Sequence, residues 1–268
     1  MLLHELLHLY QTAHRCSDGY GYQLGRTIRL WGERLGRAPL VSDLQDDAVS
    51  SWLASLEETH ARRTVAGHRG NLMILWRFAA RRKLCLPPVE VRRCPKPAPM
   101  PVAWTVEQVG LLIRGCDLLP EQYRAWMLAT VRVCYESGLR PGDVRRIGRD
   151  QLRDDGVLVR QHKTGRPHFV GLQPETVSLV RSLEGEYPLA CPCSARQYAA
   201  MWAALRKAAG VKHGACKQLR VTGASWVAAA NGVDAARSFL GHQSGDMWRH
   251  YVDLSVAGRK PYLPPKVG

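Results

Sequence analysis

FLGHQSGDMWRHYVD, residues 239–253, places a histidine directly after a Leu-Gly pair and a tyrosine nine residues beyond it. Taken singly, His242 reads as a structural histidine and Tyr251 as an ordinary core or surface tyrosine. Four more polar residues upstream change that reading. Arg140 lies in YESGLRPGDVRRI, Lys163 in VRQHKTGRPHFV, and Lys217 and Arg220 in KQLRVTGASW. Together they compose a cationic set around one nucleophile, which suits attack on a phosphodiester. Guanidinium groups clamp non-bridging oxygens bidentately, and a phenol oxygen attacks phosphorus and holds it covalently. No carboxylate cluster suggests a metal, so fixed cations are expected to neutralise the developing charge, with no metal and no cofactor.

Each position has its own local argument. Arg140 follows Gly138 at the exit of an apolar helix, where a turn projects the guanidinium from a rigid base. Asp143, three residues on, is placed to orient the arginines or Lys217. Lys163 stands at the mouth of a predicted hairpin, and its flexible ammonium is suited to protonating a leaving 5′-oxygen. The Lys-Thr-Gly run also occurs in penicillin-recognising enzymes, but no S-x-x-K nucleophile accompanies it. Lys217 and Arg220 are three apart and share a face if helical. His242 is suited to hydrogen-bonding a non-bridging oxygen or taking the tyrosine proton. A free phenol, with a pKa near ~10, is a weak nucleophile at neutral pH, and nearby positive charge favours its phenolate. Tyr135 and Tyr262 compete for the role but lack the histidine spacing.

The order of these segments resembles the tyrosine recombinase (phage-type integrase) family. That family carries an arginine in a G-L-R turn, a lysine in a β-hairpin, an [H/K]-x-x-R helix, an L-G-H segment and a tyrosine nine residues after the histidine. The elements correspond here to Arg140, Lys163, Lys217 with Arg220, Leu240-Gly241-His242 and Tyr251, and Asp143 matches the family's acidic position. Lys217 stands where many relatives have histidine. The resemblance implies a site-specific recombinase or integrase acting through a 3′-phosphotyrosyl link and a free 5′-hydroxyl, without metal or ATP. It implies double-stranded DNA with specific recombination sites as partner, and a homotetramer on two such sites. Two other readings stay open. A type IB topoisomerase shares the chemistry and relaxes supercoils alone, and a silent DNA-binding regulator would make no covalent adduct.

The whole chain agrees with a nucleic-acid partner. It has 268 residues, 46% of them hydrophobic, and a formal net charge of +15. That charge favours a polyanion, most simply DNA; an anionic membrane surface is the rival reading. No apolar run approaches the ~20 residues of a spanning helix, and no signal-peptide pattern opens the chain, so no membrane partner and a cytoplasmic protein are expected. The eight cysteines read as free thiols, and Cys191-Pro192-Cys193 lacks the usual zinc spacing. His4-Glu5-Leu6-Leu7-His8 nearly copies a zinc-protease helix, but Gln11 replaces the glycine that motif needs and no strand precedes it.

The expected fold is mainly α with a small β-sheet. Residues 1–86 read as four helices forming a DNA-binding unit, 87–101 as an extended proline-rich linker, and 102–268 as a mixed α/β catalytic domain. Leu3, Leu6, Leu7 and Tyr10 share one helical face. A second helix spans Asp18 to Leu35, a third follows Asp43, and a fourth runs from Ala61 to Lys83. From Thr59 to Pro88 there is no acidic residue, while Asp43, Asp46, Asp47, Glu57 and Glu58 precede it. That segregation marks the fourth helix as DNA-facing, with Arg62, Arg63, His68 and Arg69 as contacts; an ordinary solvated basic face is the alternative. Two units joined by such a linker are suited to closing around a duplex.

Overall fold

The structure is a computed structural model that describes residues 1–95, 98, 100–160, 165, 167–241 and 251–252. It is mainly helical with one small antiparallel sheet, and it divides into two compact units, Met1–Ala98 and Pro99–Gly268.

The first unit is a four-helix assembly whose apolar spacing dictates what is buried. α1 (Leu3–Ala13) buries Leu3, Leu6 and Leu7, and Glu5 caps its start by accepting the Leu2 N–H at 2.8 Å. α2 (Asp18–Leu35) starts at Ser17, whose side chain accepts the Tyr20 N–H, and stops at Gly36 in a left-handed conformation. α3 (Asp46–Thr59) buries Val49, Trp52, Leu53 and Leu56, with Asp46 and Asp47 at its positive end. α4 (Arg62–Arg81) buries Val65, Leu72, Leu75, Trp76 and Phe78. Trp31 and Trp52 meet edge to face at the centre, 5.0 Å between ring centroids.

The expected linker is extended, but its first part belongs to this unit. Asp46 accepts the N–H groups of Val89 and Glu90 at 3.1 and 2.9 Å, and Ser50 accepts that of Arg92 at 2.9 Å. Arg92 pairs with Glu57 at 2.7 Å, and Val91 is buried. The acids on α3 therefore hold the chain that leaves the unit. Proline density excludes a helix there, yet leaves N–H groups that carboxylates can take up.

The second unit builds on α5 (Val106–Gly115), capped reciprocally by Thr105 and Gln108, and on α6 (Glu121–Ser137), whose Met127, Val131 and Cys134 lie in the core. A short α7 (Pro141–Val144) follows. β1 (Gly156–Arg160) and β2 (Pro167–Gly171) pair antiparallel in the register Val157↔Val170 and Val159↔His168. Val157, Val159 and Val170 turn inward, while Leu158 and Phe169 stay exposed. Sequence reading also expects a strand piece at Gln151-Leu152; the chain there is a 3-10 turn, and Leu152 makes only an isolated bridge to Val157. Then come α8 (Pro174–Ser182), α9 (Ala195–Ala208), α10 (Gln218–Asn231) and α11 (Val233–Phe239). α10 crosses close to α6 because Gly223 has no side chain: a Cβ there would stand 2.3 Å from the Tyr135 carbonyl oxygen.

Among the described residues no helix is long and apolar enough to cross a membrane.

Candidate active site

Arg140 is positioned by the turn that ends α6. The Ser137 side chain accepts the Leu139 N–H at 3.1 Å. Gly138 takes a left-handed conformation, φ 59°, which a side chain would strain. Leu139 is buried and anchors the turn. Arg140 then occupies the N-cap position of α7, with its Nη1 3.7 Å from the Oδ2 of Asp143, itself 8% exposed.

Arg220 lies on the first turn of α10, 2% exposed. Its Nη1 donates to the Gly138 carbonyl and its Nη2 to the Leu240 carbonyl at 3.2 Å. One guanidinium thus joins the Arg140 turn to the chain entering Gly241-His242. Its Cζ stands 4.6 Å from the centre of the Tyr251 ring. Burial pulls its pKa down to about 10; the neighbouring Arg140 adds to that, while Tyr251 and Asp143 act against it. The group stays charged at neutral pH.

Tyr251 is fixed by its neighbour. Val252 is buried with Ala224, Ala228, Ala236 and Leu240 in a small apolar cluster between α10 and α11. The Ser225 hydroxyl reaches the Tyr251 carbonyl at 3.5 Å. Arg140, Asp143, Arg220 and Tyr251 are therefore brought together from chain segments far apart in sequence. Lys163 and His242 lie outside the described residues. The competing Tyr135 is half-buried on α6, and burial with the adjacent Glu136 raises its phenol pKa.

Lys217 is the exposed N-cap residue of α10, three residues before Arg220. One expectation needs correction. His68 is not a surface contact of α4. It is 4% exposed, on the same side of the helix as Val65 and Leu72. Its Nδ1 lies 2.9 Å from the Thr27 hydroxyl oxygen, whose own proton goes to the Gln23 carbonyl. Nδ1 is therefore the donor, and His68 is a core histidine whose Nε2 is buried with no hydrogen-bond partner among the described residues. Arg62 and Arg63 are exposed. Arg69 turns back on its own unit, donating to the carbonyls of Arg92 at 2.7 Å and Val91 at 3.3 Å.

Sequence reading missed several groups around the site. Glu136 on α6 accepts the Gln173 N–H at 3.0 Å and the Thr176 hydroxyl at 2.7 Å, tying α8 to the Arg140 helix. His168 on β2 reaches the Phe239 carbonyl at 3.2 Å. Cys134 and Cys216 meet beneath α10, 3.7 Å between sulfurs, and all eight cysteines are free. No local pattern marks these residues, since each contact joins segments separated by dozens of residues. Among the described residues no group of three or more His, Cys, Asp or Glu side chains is placed to hold a metal ion; Glu5 of the protease-like helix serves as a cap.

Comparison with known proteins places these features. No curated protein sequence matches the chain. Among solved structures, a lambda integrase tetramer bound to a Holliday junction is similar at TM-score 0.76 and 19% identity, over 100% of this chain and 80% of that one. The XerH site-specific recombinase bound to difH substrate, in a pre-cleavage complex, reaches TM-score 0.70 at 13% identity, over 94% and 82%. The Tn1549 transposon integrase in complex with circular intermediate DNA reaches 0.68 at 15%, over 94% and 95%. At such identities these likenesses establish the fold. The profile of the phage integrase family matches residues 104–257. That is more than half of the chain, and it takes in the Arg140 turn, the hairpin, α10 and Tyr251: the chain belongs to the phage integrase family, the tyrosine recombinases.

Proposed function

We propose that this chain is a site-specific DNA recombinase whose reaction centre is Arg140, Lys163, Lys217, Arg220, His242 and Tyr251, with Asp143 in support. The observation that carries the proposal is the pairing of a nearly buried Arg220 with the Tyr251 ring beside Arg140. Two guanidinium groups held beside a phenol favour an anion there, and a phosphodiester brings that anion next to the nucleophile. The two arginines take the non-bridging oxygens. The Tyr251 oxygen forms a bond to phosphorus as the bond from phosphorus to the 5′-oxygen breaks, giving a 3′-phosphotyrosyl link and a 5′-hydroxyl. Lys163 protonates the leaving oxygen, and His242 takes the tyrosine proton or binds a non-bridging oxygen. The phosphoester bond is kept, so rejoining needs no ATP.

The first unit supplies duplex binding through the exposed Arg62 and Arg63, and Pro99–Gly268 supplies the chemistry. Four copies assemble on two recombination sites and exchange strands in pairs, as the lambda integrase tetramer on a Holliday junction suggests. The protein works in the cytoplasm, where its DNA lies.

The experiment uses nicked suicide duplexes drawn from the DNA flanking the chain's own gene. Wild type should give a protein–DNA adduct that survives denaturing electrophoresis, and Tyr251→Phe should bind equally and give none. An adduct persisting in Tyr251→Phe assigns the nucleophile elsewhere. Supercoil relaxation without paired sites would mark a topoisomerase instead.

A further inference from the structure

Phe239 stands where three parts of the catalytic unit meet. Its ring fills the space left by two glycines. A Cβ on Gly138 would lie 2.3 Å from Phe239 Cε1, and one on Gly223 would lie 3.2 Å from its Cζ. The same residue's carbonyl is 3.2 Å from Nε2 of His168. The next carbonyl along, that of Leu240, takes Nη2 of Arg220 at 3.2 Å. Two successive carbonyls are thus held by two side chains immediately before Gly241-His242. One comes from the strand that leaves the Lys163 hairpin, the other from the buried arginine.

The chemistry of this contact selects one form of the histidine. A carbonyl oxygen only accepts, so Nε2 carries the proton. Burial lowers the imidazole pKa, the Phe239 hydrogen bond opposes that shift, and nearby Arg220 adds to it. Geometry and burial thus both favour the neutral form with its proton on Nε2.

We propose that His168 is a positioning residue: as its Nε2–H tautomer it clips the Phe239 carbonyl, so that β2 and the Phe239-Leu240 segment are held as one piece against Arg220. This role rests on reading Arg140, Arg220, His242 and Tyr251 as the reaction centre. His168 touches no reacting atom. It acts through Arg220, whose contact with the Leu240 carbonyl it steadies, and a loosening of that contact is what its loss would cause.

Two measurements on the full chain test it. In protein labelled with nitrogen-15 histidine, the His168 resonances are assigned by their disappearance in His168→Gln. They should report a protonated Nε2 and an unprotonated Nδ1. The opposite tautomer, or averaging between the two, would overturn the proposal, and this test needs neither DNA nor activity. The second compares adduct formation on the nicked duplexes. His168→Leu keeps the volume and loses the donor; it should bind DNA like wild type and form adduct about 10- to 100-fold more slowly, the scale of a misplaced catalytic group. His168→Gln restores an N–H at the same reach and should recover most of the rate. If His168→Leu keeps the wild-type rate, or if His168→Gln is as slow as His168→Leu, the clip has no role. Wild-type protein that makes no adduct at all would remove the functional reading itself, whereas an active wild type with an indifferent His168 removes only this inference.

Discussion

Arg220 shows how one residue ties the site together. Its guanidinium has five N–H donors in a fixed plane, and here that plane bridges two carbonyls while its face meets an aromatic ring. A lysine offers no such fork. The general-acid role proposed for Lys163 makes a different demand, because such a group must give up its proton as the bond breaks. Its loss is expected to slow cleavage of ordinary DNA by about 10²–10⁴-fold. Replacing the bridging 5′-oxygen with sulfur gives a leaving group that needs little protonation. Lys163→Ala should therefore cleave the sulfur-bridged duplex nearly as well as wild type, while Arg140→Ala and Arg220→Ala should not be rescued alike. A variant equally slow on both substrates would place the acid elsewhere, with Lys217 first to test.

At the scale of elements, the end of α6 and the inner face of α4 make opposite use of their sequences. Gly138 closes α6 at φ 59° with the Phe239 ring packed against it. Alanine at that φ costs about 1–2 kcal/mol for the backbone alone, and its Cβ would also displace Phe239. Gly138→Ala should lower the thermal midpoint and cut adduct formation further than the stability loss explains; unchanged cleavage would show that the turn does not place Arg140. On α4, burial lowers the imidazole pKa of His68, with Arg26 and His60 adding to the shift. The unfolded chain, with its imidazole near ~6.5, accepts a proton more readily than the folded chain does. Stability from this group is therefore full above that pH and falls as pH drops through it. His68→Asn keeps an N–H for Thr27 and cannot titrate, so its melting temperature should fall less than that of wild type between about pH 7.5 and about 5.5. Identical pH profiles would mean that folding leaves the His68 pKa unchanged.

Over the whole molecule, charge is distributed by purpose. The net +15 is not one uniform basic surface. Arg69 and Arg92 are spent on internal contacts, and Asp46 and Glu57 hold the departing chain, whereas Arg62 and Arg63 remain exposed. The first unit should add phosphate contacts that the catalytic unit lacks. Residues 99–268 alone are expected to bind duplex DNA more weakly than the full chain. They should also show a shallower dependence on salt, by about 0.9 in log–log slope for each phosphate that the first unit would otherwise neutralise. Equal affinity and equal slope in filter-binding titrations would contradict a DNA-gripping role for the first unit.

Much of this was legible in the chain itself, for a physical reason. Helix spacing at Leu3, Leu6, Leu7 and at Val49, Trp52, Leu53, Leu56 declares a buried face wherever it occurs. The Thr105–Gln108 cap and the Gly138 stop act over a few residues, so local sequence determines them. The order of Arg140, Lys163, Lys217-x-x-Arg220, His242 and Tyr251 points to the phage integrase family, whose profile spans residues 104–257. What the sequence alone could not decide is which charged or polar side chains turn inward. His68 sits in a basic stretch yet faces the core, because the phase of α4 against α2 places it beside Thr27. Arg69 bends back to a strap more than twenty residues on. Arg220, Phe239 and His168 meet only because Gly138 and Gly223 let α6, α10 and the chain before His242 approach closely. Such contacts depend on the distance between backbones in space, and only the tertiary structure sets that distance.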